Sequence, residues 1–245
     1  MMSSEAPAAS ERPSRRRGAL IFLRDIVVIV VVAVVVSVLI KAFVVRSFYI
    51  PSASMEETLM TGDRILVDEL TPDWTGYHRG DVVVFADPGG WLTDVPATET
   101  NPIASGLDWV LTSVGLSASD SNDHLVKRII GMPGDHVTCC NALGQVEVNG
   151  VGIDELDYLN LPDGSTLAST IDFDVTVPEG SVWVMGDNRN RSEDSRYHED
   201  LPGGGFVPID DIVGRVFLRT WPLGDIGVVG GGTDAFLGVP DRSKE

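Results

Sequence analysis

From Ile26 to Val45 the chain reads IVVIVVVAVVVSVLIKAFVV, twenty residues with a single charge. At about 1.5 Å of rise per residue, a helix of that length crosses a hydrocarbon core roughly 30 Å thick. The run is too long for a strand and too uniform for an amphipathic helix. Valine is a poor helix former in water, but in lipid a helix is the one single-segment structure that satisfies its own backbone, so hydrogen bonding overrides propensity. Lys41 sits near the far end, where its stem can carry the charge out to the interface. Arg12, Arg15, Arg16 and Arg17 precede the run. Basic flanks stay cytoplasmic, which places whatever follows on the outer side. A cleaved signal peptide would share the basic start, yet its apolar stretch is typically shorter. The segment therefore reads as an uncleaved anchor over 19–45, behind a disordered basic tail at 1–18.

The two sides of this anchor differ in charge. Residues 1–48 carry seven basic and three acidic side chains, leaving eleven basic and thirty-three acidic for the rest. So acidic a body does not wrap nucleic acid. Its 245 residues, 43% hydrophobic, are enough for one main domain. The two cysteines, Cys139 and Cys140, are adjacent, which implies neither a stapled framework nor a metal site; two small inert side chains or a vicinal disulfide remain open.

Beyond the anchor, short apolar or alternating runs recur at 64–68, 81–85, 125–130, 136–140, 145–148, 173–177, 181–185 and 213–218, separated by turn signals such as Pro133-Gly134-Asp135, Asn149-Gly150 and Pro178-Glu179-Gly180. The pattern predicts a mainly β domain over 46–221. An inserted region at 86–123 breaks it, rich in Gly, Pro, Ser and Thr; within it Ile103, Leu107, Val110, Leu111 and Val114 fall at helical spacing. The stretch 222–245, with three successive glycines, reads as a flexible tail.

Lysine is scarce here. Of the three, Lys41, Lys127 and Lys244, only Lys127 falls within the β domain, which uses arginine freely. Arginine stays charged at any biological pH, whereas a buried lysine can give up its proton and act as a base. Lys127 sits in an apolar run, His124-Leu125-Val126-Lys127-Arg128-Ile129-Ile130. Right behind the anchor comes Tyr49-Ile50-Pro51-Ser52-Ala53-Ser54-Met55. A serine in a turn is weak evidence alone, because serines form local hydrogen bonds there. Beside a lone apolar-strand lysine it becomes half of a dyad.

This serine segment resembles the nucleophile box of bacterial type I signal peptidases, membrane-anchored Ser/Lys endopeptidases. Three further boxes follow in the family's order: Gly80-Asp81-Val82-Val83-Val84-Phe85, Lys127-Arg128-Ile129-Ile130-Gly131-Met132-Pro133-Gly134-Asp135, and Gly186-Asp187-Asn188-Arg189 through Ser192-Glu193-Asp194-Ser195-Arg196. The resemblance implies a fold of coiled, largely antiparallel sheets after one transmembrane helix, and removal of signal peptides from exported preproteins by an acyl-enzyme route. By position it makes Ser54 the nucleophile and Lys127 the general base. Ser52, with the Ser54 amide, matches the oxyanion donors, and Ser192 the serine that orients the lysine. Asp194 and Arg196 match the pair that pins the loop. Ile50 and Val126 match positions lining shallow pockets for small residues one and three places before the cut. The preprotein would lie extended along a strand edge.

The chemistry asks for this division of labour, since a serine hydroxyl needs a neighbour that is neutral beforehand to take its proton. Leu125, Val126 and Ile129 would favour that neutral amine by desolvation. No metal or organic cofactor is implied: the four histidines lack ligand spacing, and the acidic residues at 187–200 lack the alternation of a calcium loop. The expected partners are preprotein signal peptides and the lipids of the cytoplasmic membrane. Two departures from the family stand out, Ala53 where glycine is usual and Glu57 where proline is. The adjacent cysteines and the insertion are reminiscent of actinobacterial members. Two other readings compete: a single-pass membrane sensor or scaffold with a non-catalytic β domain, and a cytosolic Ser/Lys self-cleaving repressor, which the anchor and the acidic body oppose.

Overall fold

A computed structural model describes residues 15–43, 45–92, 123–162 and 164–241. Helix α1, Arg15–Phe43, contains the apolar window Leu20–Ser37, whose mean hydropathy of 2.8 and exposed side chains suit a hydrocarbon surround. It begins inside the stretch expected to be disordered, because arginine is a good helix former, and it stops short of Val45. Val45 instead opens a strand. The helix expected at 103–114 lies outside the described residues.

The rest is mainly β. In chain order the strands are β1 Val45–Tyr49, β2 Arg64–Asp68, β3 Val82–Ala86, β4 His124–Gly131, β5 His136–Cys139, β6 Val146–Val148, β7 Val151–Gly152, β8 Phe173–Thr176, β9 Ser181–Met185, β10 Val207–Pro208, β11 Ile212–Trp221 and β12 Gly227–Val228; a short helix α2, Thr71–Thr75, follows β2. A large sheet runs β1-β2-β11-β3-β4-β9-β10 with β12 on β11, and a small one runs β7-β6-β5-β8. Every strand pairing is antiparallel.

Strand β3 shows how the large sheet is buried on both faces. Val82 and Val84 pack with Phe48, Ile50, Met55 and Ile65, while Val83 and Phe85 pack on the opposite face with Trp91, Ile129 and Val184. A period of two thus feeds two cores from one apolar run. A third core joins the small sheet to β4 and β9 through Ile130, Val137, Phe173 and Trp183. Strand β4 pairs with β3 over His124–Arg128, but with β9 only from Arg128 onward. Among the described residues, therefore, 124–127 have no strand on their other side, and Lys127 is the last of them.

The segment after Pro222, expected to be loose, is largely exposed but tied to the domain at several points. Ala235 and Phe236 enter the third core, and burying a phenylalanine contributes about 2 kcal/mol. The Pro240 carbonyl accepts from Arg79 (3.3 Å) and Asn149 (3.1 Å). Of the segment's three successive glycines Gly232, φ 59°, permits close approach, since a Cβ there would fall 2.8 Å from Arg128 Nη1 and from the Tyr158 ring, and the Gly231 carbonyl in turn sits where a Cβ at Gly80 would lie, 2.1 Å away. Cys139 and Cys140 are joined as a vicinal disulfide.

Candidate active site

The turn after β1 is tied down at both ends. Ile50 N–H donates to Asp63 O and Gly62 N–H to Ile50 O, both at 2.9 Å, and Met55 and Leu59 are buried beneath it. The Ser54 carbonyl accepts from Asn188 N–H at 3.0 Å, which locks the serine to the loop after β9. Gly186 opens that loop because nothing larger fits: a Cβ there would lie 2.5 Å from Ser54 O and 2.2 Å from Ser192 Oγ. Glu57 has φ 83°, a left-handed conformation closed to proline, whose ring holds φ near −65°. The departure from the family pattern is thus matched by a different local backbone.

Strand β4 delivers Lys127 to this turn. Its Nζ donates a hydrogen bond to Ser54 Oγ at 2.9 Å, although the residues are 73 apart in sequence. Both are buried, at 4% and 5% exposure. Burial pulls the lysine pKa from 10.5 down to about 8, against the opposing attraction of Asp194, Asp187 and Glu193. None of those carboxylates bonds the amine. At a pKa near 8 a useful fraction of it is neutral at physiological pH, which is what a proton acceptor needs. Ser52 Oγ lies 3.2 Å from Ser54 Oγ.

The loop 186–196 is held by buried ion pairs. Asp194 takes two 2.8 Å bonds from Arg196 and one of 2.9 Å from Gly186 N–H; burial alone would raise its pKa, but these donors outweigh it and hold the carboxylate charged. Arg196 also reaches Ser169 Oγ and Arg189 O, each at 3.0 Å. Two further pairs escaped the sequence reading. Arg128 grips Asp187 at 2.8 and 2.7 Å. Arg189 grips Glu155, which also accepts from Tyr158 Oη at 3.0 Å. The only sequence signal was the arginine and aspartate of the last two boxes; Glu155 carried none. Ser192 lies close enough to Asp194 to help keep it charged, yet its buried hydroxyl has no partner that meets hydrogen-bond geometry among the described residues. It makes no bond to Lys127.

Ser54 stands between two clefts. One, of about 200 Å³, is apolar and lined by Phe48, Ile50, Met55, Val84 and Val126. The other, of about 530 Å³, is lined by Trp91, Tyr197, Arg191, Ser192 and Glu193, with Ser52, Ser54, Leu92, Leu125 and Lys127 shared between the two. Trp91 and Leu92, at the root of the insertion, went unnoticed in the sequence because nothing local marks them as neighbours of Ser54. No cluster of three metal-binding side chains occurs among the described residues.

Residues 23–221 match the family described as signal peptidase, peptidase S26. The signal peptidase I of Mycobacterium tuberculosis (strain H37Rv) is 37% identical over 93% of this chain and 81% of its own length. The probable signal peptidase I of Mycobacterium leprae (strain TN) is 34% identical over 93% of this chain and 85% of its own. A solved signal peptidase I from Enterococcus faecalis V583 shares 28% identity over 57% of this chain and 95% of its own, with a TM-score of 0.36.

Proposed function

The chain belongs to the signal peptidase family, peptidase S26, and from that premise we propose that Ser54 is the nucleophile and Lys127 the general base with which it cuts signal peptides from preproteins. The enzyme is a serine endopeptidase. One observation carries the residue assignment: a buried amine with its pKa brought down to about 8 stands 2.9 Å from a buried hydroxyl.

As Ser54 Oγ attacks the scissile carbonyl, neutral Lys127 takes its proton. The negative charge on the carbonyl oxygen is met by the Ser52 hydroxyl and the Ser54 N–H, donors of the kind whose loss costs roughly 10²- to 10³-fold in rate. The C–N bond then breaks, and the leaving amine takes the proton back from the Lys127 ammonium. A water, deprotonated by Lys127, hydrolyses the acyl-enzyme. Ser192, which lines the same cleft, orients the amine or that water in this reading.

Ile50 and Val126 wall a cavity of about 200 Å³, below the roughly 300 Å³ at which small-molecule clefts begin. It takes small side chains before the cut and excludes bulk by overpacking. The side of β4 at 124–127 that no described strand covers gives the extended preprotein a strand to pair with. The N-terminal apolar helix, led by Arg15–Arg17, anchors the enzyme in the cytoplasmic membrane with its N-terminus inside, leaving the β domain on the outer face.

The test is cleavage of a preprotein by the full chain in detergent. Ser54→Ala and Lys127→Met should each abolish it, and wild-type kcat/KM should rise about tenfold per pH unit up to about 8 and then level off, since the neutral amine is the active form. Near-normal cleavage by Lys127→Met would show the dyad assignment to be wrong. A sensor or scaffold would make no cut at all.

A further inference from the structure

A peptide cut at Ser54 must cross its hydroxyl from one cleft into the other. With the residues before the cut in the apolar cavity, those after it enter the 530 Å³ cleft, which shares Ser52, Ser54 and Lys127 with the first. This step rests on the peptidase reading and asks what the second cleft selects.

Its walls are fixed. The Asp87 carboxylate accepts from the N–H groups of Gly89 (2.9 Å), Trp91 (3.0 Å) and Leu92 (3.1 Å), closing a tight turn at the root of the insertion. The Trp91 indole lies stacked on the His198 ring, centroids 4.3 Å apart and planes 6° from parallel. His198 in turn donates from Nδ1 to the Asp194 carbonyl at 2.8 Å. One side of the cleft is therefore an aromatic plate braced against the catalytic loop, and the half-exposed ring of Tyr197 stands in the same lining.

Two charges face this space. Arg191 leans toward Glu56, Nη1 to Oε2 3.6 Å. Glu193 is exposed and has neither a hydrogen bond nor an ion pair among the described residues, yet it is near enough to Lys127 to pull on its proton equilibrium. Every other carboxylate acting on Lys127 is buried and engaged by an arginine. Glu193 is thus the one carboxylate in the lining of this cleft, and it has no partner among the described residues.

We propose that Glu193, against the Trp91 and Tyr197 walls, selects the residue just after the cut, favouring a basic over an acidic side chain at the first position of the mature protein. An acidic side chain there is repelled at short range, and a lysine or arginine completes a pair that the resting enzyme lacks.

The experiment uses the full chain in detergent and quenched-fluorescence peptides with alanine one and three places before the cut, differing only in Lys, Gln or Asp immediately after it. At low ionic strength the Lys:Asp ratio of kcat/KM should be about five- to tenfold, as expected when a part-exposed attraction gives way to a repulsion. It should fall to about one in Glu193→Gln, invert in Glu193→Lys and shrink with added salt. Because the ratio compares two substrates on one enzyme, any effect of Glu193 on the basicity of Lys127 cancels. A wild-type ratio near one, or one that Glu193→Gln leaves unchanged while all three peptides are cut, overturns the inference alone. Failure of the wild type to cut any of them would sink the peptidase reading and this inference with it.

Discussion

Lys127 and Arg128 are neighbours on β4, and the pleat turns them to opposite faces of the sheet. Both are buried cations, but their surroundings treat charge in opposite ways. Arg128, 1% exposed, has Asp187 on two of its nitrogens, the Gly80 carbonyl at 2.7 Å, Thr58 Oγ1 at 3.1 Å and the Tyr158 ring 3.9 Å below its guanidinium. Burial works against that charge, yet Asp187 more than offsets it and the arginine pKa is raised. Lys127 has a single neutral hydroxyl, and burial wins. Pairing makes a buried cation permanent, whereas desolvation without pairing makes it a base.

The contrast breaks most visibly in Lys127→Arg. This keeps the charge and discards the ability to lose it, so kcat/KM for preprotein cleavage should drop about 10⁴-fold or more, as far as for Lys127→Met. Retained activity in the arginine variant would mean that a neutral amine is not required.

Next comes Arg128→Met, which strands Asp187 without its counter-charge. Urea unfolding should show a loss of about 3 to 5 kcal/mol, with part recovered when Asp187→Asn is added. A loss too small to measure would mean the arginine is not fixed by its partner.

The smallest effect has the opposite sign, for Lys127→Met should stabilise the fold while abolishing activity. The lysine titrates at 10.5 in the unfolded chain and about 8 in the folded one. Below pH 8 both states are protonated and the burial penalty is fully present, about 3 kcal/mol at most; the wild type regains it as pH rises from 8 to 10.5. The stability advantage of the methionine variant should therefore be largest below pH 8 and shrink across that window. An advantage independent of pH would show the gain to be packing alone.

Much of this was legible in advance. The strands at 64–68 and 181–185 appear with the predicted bounds, because alternation and flanking turns are local properties. Ser54 and Lys127 were singled out by the box order and by the choice of lysine where arginine was the habit, and their side chains meet at 2.9 Å. Strand β1 was hidden because Val45 belongs to the apolar anchor run and Arg46-Ser47-Phe48-Tyr49 lacks alternation, and only its register with β2, Val45 opposite Asp68, reveals it. The glycine-rich tail differs from expectation for a related reason: glycine marks both loose chain and close contact, and at Gly232, against Arg128 and Tyr158, it is the second. Trp91, Glu155 and Glu193 carried no signal, since their importance lies in what stands across from them.

By itself the sequence determined that an apolar helix comes first, that a mainly β domain follows, and which lysine and which serine turn to put forward as a dyad; all of these follow from short-range order, in period, spacing and residue type. The protonation of that lysine, the partner of each buried arginine and the charge left facing the leaving side of the cut were decided only by the tertiary structure. Desolvation and Coulomb attraction depend on distance through space, and antiparallel register brings Lys127 to Ser54 across 73 residues while giving Asp187 to its neighbour.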